Sequence, residues 1–401
     1  MDKFDMFRKR LGFFVHWGIY AVGGCQEQEQ GRLGVDASSY EKYAQLFNPS
    51  HFDPDAWIDM ALNAGMSYMV FTAKHHDGFC MWDTKATDYN IMNTPYGRDI
   101  LKMLADACAK RNFPLGIYYS NPDWHHPHAY NPKSTHQMPP LCGESDFNLY
   151  IQFVKEQITE LMTNYGRIVC LFWDIPPKTV DTGLQQLVRD LQPGILINDR
   201  GWDKGDYATP ERALPDAAPY EGYVEACQSI GRQSWGYRKN EDYFSASFLQ
   251  KSIGEYLLRG ANFLLNIGPM ESGAFPDEGI HLLNRIGSWY KNMREAYEAQ
   301  WLPQLTQENA YYVSGKGDEI YLHIMPPVER TGYEVPFVAA MPKSVTLLNT
   351  KKALAFELER FPVRYSLHAG NMKPDCLHIH GLPADELNEP MIVKISGVLA
   401  R

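Results

Sequence analysis

The chain has 401 residues, of which 44% are hydrophobic and 21% are charged, and its formal net charge is −10. These proportions are ordinary for a globular protein and exclude a chain too poor in apolar residues to form a core. The acidic balance and the lack of a Lys/Arg cluster argue against a nucleic-acid partner. No segment reaches the roughly 18 consecutive apolar residues of a membrane span, so a membrane partner is not expected either.

The N-terminal residues and the cysteines bear on the compartment of the protein but not on its oligomeric state. Residues 1–8 contain no apolar stretch after their basic positions, unlike a signal peptide, so we expect a cytoplasmic protein, or a secreted or periplasmic one if a leader was removed. Seven cysteines at irregular spacing predict free thiols rather than a disulfide framework or a Cys-x-x-Cys metal site. The oligomeric state is left open.

Strand-like apolar runs alternate with helical patterns from about residue 10 to about residue 300. Asp53 followed by Pro54 is typical of a helix start, and Gly65 of a helix end. The predicted helices cover residues 53–65, 99–111, 147–161, 180–191, 248–259 and 282–293, and the predicted strands cover residues 13–15, 68–73, 114–119, 168–173, 195–198 and 262–267. This alternation predicts right-handed crossovers and a parallel sheet.

A barrel explains this pattern better than a doubly wound sheet. Polar residues follow several strands instead of gathering at one switch point, and neither a G-x-G-x-x-G motif nor a P-loop is present. After about residue 300, helical patterning stops and short strand candidates are separated by Gly, Pro and Asn. The predicted fold is therefore a (β/α)8-like TIM barrel over residues 1–303 and a C-terminal antiparallel β-sandwich over residues 304–401.

Chemically capable side chains follow the predicted strands, where a barrel builds its active site. The clearest is Asp174, because a carboxylate at the tip of a buried strand is costly unless it faces a polar cavity or has partners. Hydrolysis of a glycosidic bond usually needs two carboxyl groups, and Glu211, Glu221 and Glu225 are candidate partners for Asp174. No G-x-S-x-G motif is present, so a serine hydrolase lacks its nucleophile elbow.

The histidines are predicted to contact a ligand rather than to bind a metal ion. His75 and His76 are adjacent, so on a strand they would point to opposite faces and form a poor chelating pair. His16 and His76 are expected to donate hydrogen bonds to the hydroxyls of a ligand. His126 and His128 have the spacing of a metal pair but lie in a loop, so no metal is expected there, and residues 122–142 could instead contact a leaving group.

Together these segments resemble the retaining α-L-fucosidases of glycoside hydrolase family 29. The matching segments are residues 12–18, 47–49, 74–79, 118–120, 123–124, 173–174, 198–200, 209–211, 234–237 and 264–269. The resemblance spans the predicted barrel, and its specificity comes from the combination in this order.

The resemblance implies a fucosylated oligosaccharide or glycoconjugate as substrate and no metal or organic cofactor. It implies Asp174 as the nucleophile that forms a covalent fucosyl-enzyme, and Glu211 as the acid/base, with Glu225 and Glu221 as alternatives. The candidate substrate-binding residues are His16, Trp17, His75, His76, Tyr119, Trp173 and Arg200, with His75 in a supporting role.

The chain departs from the family pattern next to the nucleophile. Relatives often have Trp two positions before the Asp, where this chain has Phe172, with Trp173 adjacent. Three alternatives therefore stay open. They are a glycosidase for another sugar such as a galactoside, a carbohydrate-binding protein without catalysis, and a metal hydrolase that uses His126 and His128.

Overall fold

The computed structural model describes residues 10–138, 145–213, 222–307, 310–338, 340–359 and 376–399. The chain divides into two compact units, the first made of residues 1–213, 221–244 and 261–284 and the second of residues 214–220, 245–260 and 285–401. The sequence predicts a single division after residue 303, and that boundary stays a prediction.

The described part of the first unit contains a parallel sheet. Its strands are β1 (Leu11–Val15), β2 (Met69–Lys74), β3 (Leu115–Ser120), β4 (Ile168–Asp174), β5 (Leu196–Ile197), β6 (Glu225–Ser229) and β7 (Asn262–Ile267). They are hydrogen-bonded in the order β5-β4-β3-β2-β1-β7-β6. Residues 207–211 bridge the two edges, since Tyr207 pairs with Asn198 beyond β5 and Glu211 pairs with Cys227 of β6. This extended segment acts as an eighth strand and closes the barrel.

The six predicted helices are present, and the described residues contain four further short helices between residues 20 and 46 that the sequence did not predict. They are α1 (Tyr20–Gly23), α2 (Glu29–Leu33), α3 (Ala37–Tyr40), α4 (Lys42–Leu46), α5 (Pro54–Asn63), α6 (Ile100–Lys110), α7 (Phe147–Asn164), α8 (Thr182–Leu191), α9 (Ala246–Leu258) and α10 (Asp277–Glu298). Asp53, Asp99 and Asp181 each accept a hydrogen bond from the backbone N–H three residues later, at the starts of α5, α6 and α8. Each cap contributes about 1 kcal/mol. Within the described residues, none of the helices is both long and apolar enough to span a bilayer.

Alternate side chains of the strands fill the barrel interior. The buried cluster there includes Phe14, Tyr68, Val70, Tyr118, Cys170, Phe172, Leu196, Tyr207, Cys227 and Leu264. The carboxyl ends of the strands are thus left as the edge at which polar side chains can meet.

The described part of the second unit contains two antiparallel sheets. Their strands are β8 (Gln300–Trp301), β9 (Tyr312–Lys316), β10 (Glu319–Ile324), β11 (Tyr333–Val335), β12 (Ser344–Leu347), β13 (Lys352–Ala353), β14 (Ala355–Glu359), β15 (Cys376–His380) and β16 (Met391–Ser396). One sheet has the order β13-β12-β16-β10-β9-β8 and the other β11-β15-β14. Leu322 and Val393 of the first sheet share a core with Leu377 and Ile379 of the second, which makes a sandwich. The predicted barrel followed by a β-sandwich is confirmed.

Candidate active site

Asp174 ends β4, and side chains from the neighbouring strand β3 and from the chain just after β5 hold its carboxylate. The Tyr118 hydroxyl donates to Oδ2 at 2.7 Å, and Arg200 Nη1 donates to Oδ1 at 2.8 Å. Burial acts to raise the pKa of Asp174, but the charge of Arg200, the charge of His76 and the hydrogen bonds outweigh burial and lower it. Asp174 is therefore an oriented anion, 13% exposed, suited to attack an electrophile.

Glu211 reaches the same place from the irregular eighth strand. Arg200 Nη1 donates to Glu211 Oε2 at 3.1 Å as well as to Asp174. Because both carboxyl oxygens bind one nitrogen, they lie no more than about 6 Å apart, within the range in which two carboxyl groups act on one glycosidic bond. Glu211 is the more open of the two, with its side chain 39% exposed. The structure thus brings Asp174, Arg200 and Glu211 together.

His16 is held in one tautomer by Asn266. Asn266 Nδ2 donates to Ser229 Oγ and to the Trp235 carbonyl, so its Oδ1 accepts the proton on His16 Nδ1 at 2.7 Å. Burial lowers the pKa of His16 to about 4, although Glu27 and Asn266 act in the opposite direction. The ring is neutral near neutral pH, and its Nε2 is a hydrogen-bond acceptor.

His76 is fixed in the same way. The Ser120 hydroxyl donates to the Pro122 carbonyl, so its oxygen accepts from His76 Nδ1 at 2.6 Å. Burial lowers the pKa of His76 to about 4, despite the charge of Asp174, whose Oδ2 lies 3.8 Å from Nε2. That His16 and His76 contact ligand hydroxyls stays a prediction, and with these tautomers each Nε2 would accept a hydrogen bond where the sequence analysis expected a donor.

His75 lies beside His76 rather than opposite it. Their ring centroids are 4.2 Å apart, and the ring of His75 stacks on Tyr118 at 5.7 Å. The expected opposition of the two rings fails because β2 ends at Lys74, so strand alternation does not extend to these residues. Burial lowers the pKa of His75 well below its usual value, so this ring is neutral too.

Tyr119 and Trp173 face away from the site. The Tyr119 hydroxyl donates to Gln157 of α7 at 2.6 Å, and Trp173 packs edge-on against Tyr119. Tyr118 and Phe172 occupy the inward positions and stack with centroids 5.8 Å apart. The two residues predicted as sugar contacts are thus each one position off, because Asp174 points inward and period-two alternation sends its neighbour outward.

Trp17 is also structural. Its ring packs with Phe47, Phe52 and Trp57, and its indole N–H donates to the Met270 carbonyl at 3.0 Å. The ring is 1% exposed and all of these contacts are made within the fold, so its predicted contact with a ligand stays a prediction.

Glu225 lies at the opposite end of the barrel from Asp174. It is the first residue of β6, level with Asn262 at the start of β7, and it is 1% exposed. Tyr68 donates to its Oε2 at 2.5 Å. Burial raises the pKa of Glu225 to about 7, against hydrogen bonds from Tyr68 and Tyr207. The structure therefore does not place Glu225 with the other two carboxyl groups.

Glu225 is expected to make stability depend on pH. Because its pKa is raised in the folded protein, its contribution is fully present below about pH 4.5 and is lost as the pH rises through 7, a change of up to about 3 kcal/mol. Glu225→Gln keeps the shape of the protonated acid. Its stability relative to wild type should rise between pH 5 and pH 8, measured by urea unfolding, whereas a constant difference would contradict a protonated Glu225.

Three other predicted residues play no demonstrated part in the site. Glu221 lies outside the described residues. His126 Nδ1 accepts from the backbone N–H of His128, and His128 Nδ1 accepts from that of Asp146. In the described part of the chain, the two rings are not part of a group of three side chains close enough to share a metal ion.

Two further residues lie near His16, of which Trp235 belongs to the matching segment 234–237 and Glu27 was not singled out by the sequence. Glu27 is buried, and its Oε2 accepts hydrogen bonds from Ser234 Oγ at 2.6 Å and from the backbone of Trp235 at 2.8 Å. Trp235 is half-buried with its ring 5.2 Å from that of His16. Glu27 stands in a polar run, residues 26–30, with no local signal, because its partners are more than 200 positions away.

The backbone directly after Asp174 is strained. Ile175 has a φ of 57°, a conformation that costs a β-branched residue about 1–3 kcal/mol. Asn121 Nδ2 donates to the carbonyls of Ile175 and Arg200, at 3.0 and 3.1 Å. These bonds hold the chain after Asp174 beside the chain that carries Arg200.

Comparisons with known proteins identify relatives of this chain. A family model described as alpha-L-fucosidase matches residues 3–295. Tissue alpha-L-fucosidase of Bos taurus is 26% identical over 383 residues, which cover 87% of this chain and 80% of that protein. Plasma alpha-L-fucosidase of Rattus norvegicus is 29% identical over 330 residues, 74% of this chain and 70% of that protein.

Solved structures extend the similarity over almost the whole chain. Alpha-L-fucosidase isoenzyme 1 from Paenibacillus thiaminolyticus has a TM-score of 0.84 and 30% identity, covering 97% of this chain and 96% of that one. A Bacteroides thetaiotaomicron GH29 alpha-L-fucosidase, described as a trapped covalent intermediate in complex with 2-fluoro-fucosyl fluoride, has a TM-score of 0.77 and 26% identity, with coverages of 98% and 95%.

Proposed function

Because this chain belongs to the α-L-fucosidase family, glycoside hydrolase family 29, we propose that it removes terminal α-linked L-fucose from glycans or glycoconjugates with retention of anomeric configuration. The chain is a glycoside hydrolase of the α-L-fucosidase type. The exo action, the two-step mechanism and the roles of individual residues are the proposed part.

The shared Arg200 nitrogen is the observation that carries the mechanism. Retaining glycosidases have their two carboxyl groups about 5–5.5 Å apart, whereas inverting enzymes need about 6.5–9.5 Å to admit water. The Asp174 and Glu211 oxygens that share Arg200 Nη1 lie at most about 6 Å apart, which is compatible with the retaining spacing. The Bacteroides relative described as a trapped covalent intermediate supports the same mechanism.

In the first step, an Asp174 oxygen forms a bond to the anomeric carbon as the bond from that carbon to the leaving oxygen breaks. Glu211 gives its proton to the leaving oxygen. In the second step, Glu211 takes a proton from water, whose oxygen attacks the anomeric carbon and releases Asp174 as a carboxylate. Arg200, bound to both carboxyl groups, orients them throughout.

The neutral histidines suit a sugar rather than an anion. His16 Nε2 and His76 Nε2 accept hydrogen bonds from ring hydroxyls, and the half-buried Trp235 presents an aromatic face for the C5 methyl group. His75 supports the site by stacking on Tyr118.

The direct test is hydrolysis of 4-nitrophenyl α-L-fucoside followed by NMR. Retention predicts α-L-fucose as the first anomer, and β-L-fucose formed first would overturn the mechanism. Activity should be unaffected by a chelator, whereas its loss would favour a metal hydrolase. Turnover of the matched α-L-galactoside in preference would favour another sugar, and binding of fucose without turnover would favour a binding protein.

Tyr118→Phe should weaken catalysis and shift its pH dependence, whereas Tyr119→Phe should do neither. Loss of the hydrogen bond to Asp174 raises the pKa of that carboxyl, so the acid limb of kcat/KM moves to higher pH. A bond to a charged group is worth about 1.5–3 kcal/mol, so kcat/KM should fall about 10–100-fold. Tyr119 is the matched control because its hydroxyl binds Gln157 behind the strand. Equal effects of the two substitutions would contradict the inward placement of Tyr118.

A further inference from the structure

The exposed face of strand β15 in the second unit carries two histidines. Leu377 and Ile379 of β15 are buried in the core of the sandwich, so alternation places His378 and His380 on the other face. Their side chains are 20% and 38% exposed, and their ring centroids are 3.8 Å apart. Two imidazoles at this spacing can coordinate the same metal ion.

Strand β14 brings two carboxylates to the same face. Glu357 pairs directly with His378 in the antiparallel register, and Glu359 lies two residues further along. His378 Nδ1 is 3.3 Å from Glu359 Oε1, and His380 Nε2 is 3.0 Å from Glu357 Oε1. Each imidazole therefore has a carboxylate beside it. The two carboxylates carry negative charge, which a bound cation would balance.

We propose that Glu359, His378 and His380 bind one divalent transition-metal ion of the zinc type. One ligand atom from each of these residues lies within 4.8 Å of the other two, and they are the group with this property among the described residues. Two imidazole nitrogens and one carboxylate oxygen, with water as the fourth ligand, form a set that zinc takes in a tetrahedral geometry. Magnesium and calcium prefer oxygen ligands, so they fit the set poorly.

Small side-chain movements complete the site. Two ligand atoms that each lie about 2 Å from a zinc ion are at most about 4 Å apart. Side-chain rotations that move the ligand atoms by about 1 Å therefore bring all three within bonding distance of one ion. Gly332 leaves room for them, since a Cβ there would stand 3.3 Å from His378 Nε2 and 3.9 Å from His380 Nδ1. Glu357, beside His380, then acts as the carboxylate that orients a ligating imidazole.

The bound ion would cross-link β14 and β15. These strands are consecutive along the chain, and the ion would add a fixed contact between residues 359 and 378 to their hydrogen bonds. An ion that binds only the folded state raises stability by mass action. The proposal is independent of the fucosidase chemistry.

The test is zinc binding to the full chain, purified without a histidine tag and stripped with chelator. Isothermal titration should show one saturable equivalent of Zn²⁺ and a higher unfolding temperature with zinc, and Co²⁺ should give the visible absorption of a tetrahedral site. His378→Asn/His380→Asn and, separately, Glu359→Gln should lose that equivalent. Glu357→Gln should weaken binding about tenfold or more.

His51→Asn and His281→Asn replace exposed histidines elsewhere and should bind zinc as wild type does. All variants should keep wild-type turnover of 4-nitrophenyl α-L-fucoside, which shows that they are folded. The proposal is overturned if wild type takes up no saturable zinc, or if the folded β15 and Glu359 variants bind it as tightly as the controls.

Discussion

Asp174→Ala is expected to lower kcat/KM for 4-nitrophenyl α-L-fucoside by at least about 10³-fold, the scale on which loss of a nucleophile acts. The carboxylate lies at the strand end, and the charge of Arg200 and the Tyr118 hydrogen bond outweigh the effect of burial and lower its pKa. An alanine forms no bond to the anomeric carbon. The measurement is steady-state kinetics of both proteins, together with their unfolding temperatures.

Rescue of activity by azide distinguishes the loss of the nucleophile from general damage to the site. In Asp174→Ala, azide can enter the space left by the carboxylate, bond to the anomeric carbon and expel 4-nitrophenolate, which gives β-L-fucosyl azide. The control is Asp203→Ala, which removes an exposed carboxylate near Arg200 in sequence and should keep wild-type turnover. Near-normal activity of a folded Asp174→Ala protein would remove Asp174 from its role.

Glu211→Gln is expected to lower kcat/KM about 10²–10⁴-fold for fucosides with a sugar leaving group, since such groups need a proton to depart. The loss should be smaller for 4-nitrophenyl α-L-fucoside, because 4-nitrophenolate departs without a proton. Its kcat should still fall, because water then lacks a base in the second step. Both substrates are compared in one set of kinetic measurements.

Azide should speed the second step in Glu211→Gln and give α-L-fucosyl azide, the opposite anomer from that of Asp174→Ala. Glu225→Gln is the matched control, with the same chemical change at the other end of the barrel, and should stay within about threefold of wild type. Glu221→Gln is made alongside. Full activity in Glu211→Gln together with loss in Glu221→Gln or Glu225→Gln would move the acid/base to that residue.

The order of α5 to α10 and of strands β1 to β5 and β7 was predictable from the sequence because it depends on local signals, whereas α1 to α4 and β6 were not predicted. Helical periodicity, the capping residues Asp53, Asp99 and Asp181, and the apolar runs of β2, β4 and β7 all act within a few residues. The irregular segment at residues 207–211 was harder to predict. It is extended only because it pairs with β6 and with the chain beyond β5, partners that no local pattern reveals.

The candidate site likewise contains some residues whose placement the sequence predicts and others whose placement it does not. Asp174, Arg200, His16 and His76 follow strands, so the barrel geometry places them at one edge. The errors at Tyr119 and Trp173 were avoidable, since an inward Asp174 requires an inward Phe172. The error at Glu225 was not avoidable, because a match to a family motif in sequence does not show which end of a strand the residue occupies.

By itself, the sequence determined most of the helices and strands of the barrel, the barrel with its sandwich and the edge at which chemistry is possible, because local periodicity and strand ends encode them. Only the tertiary structure decided that Arg200 joins Asp174 to Glu211, that Asn266 and Ser120 set the tautomers of His16 and His76, and that Glu27 is buried beside Trp235. Some of these contacts join residues more than 200 positions apart, and they depend on strand register and barrel closure. Register and closure are properties of the packed chain and not of any one segment.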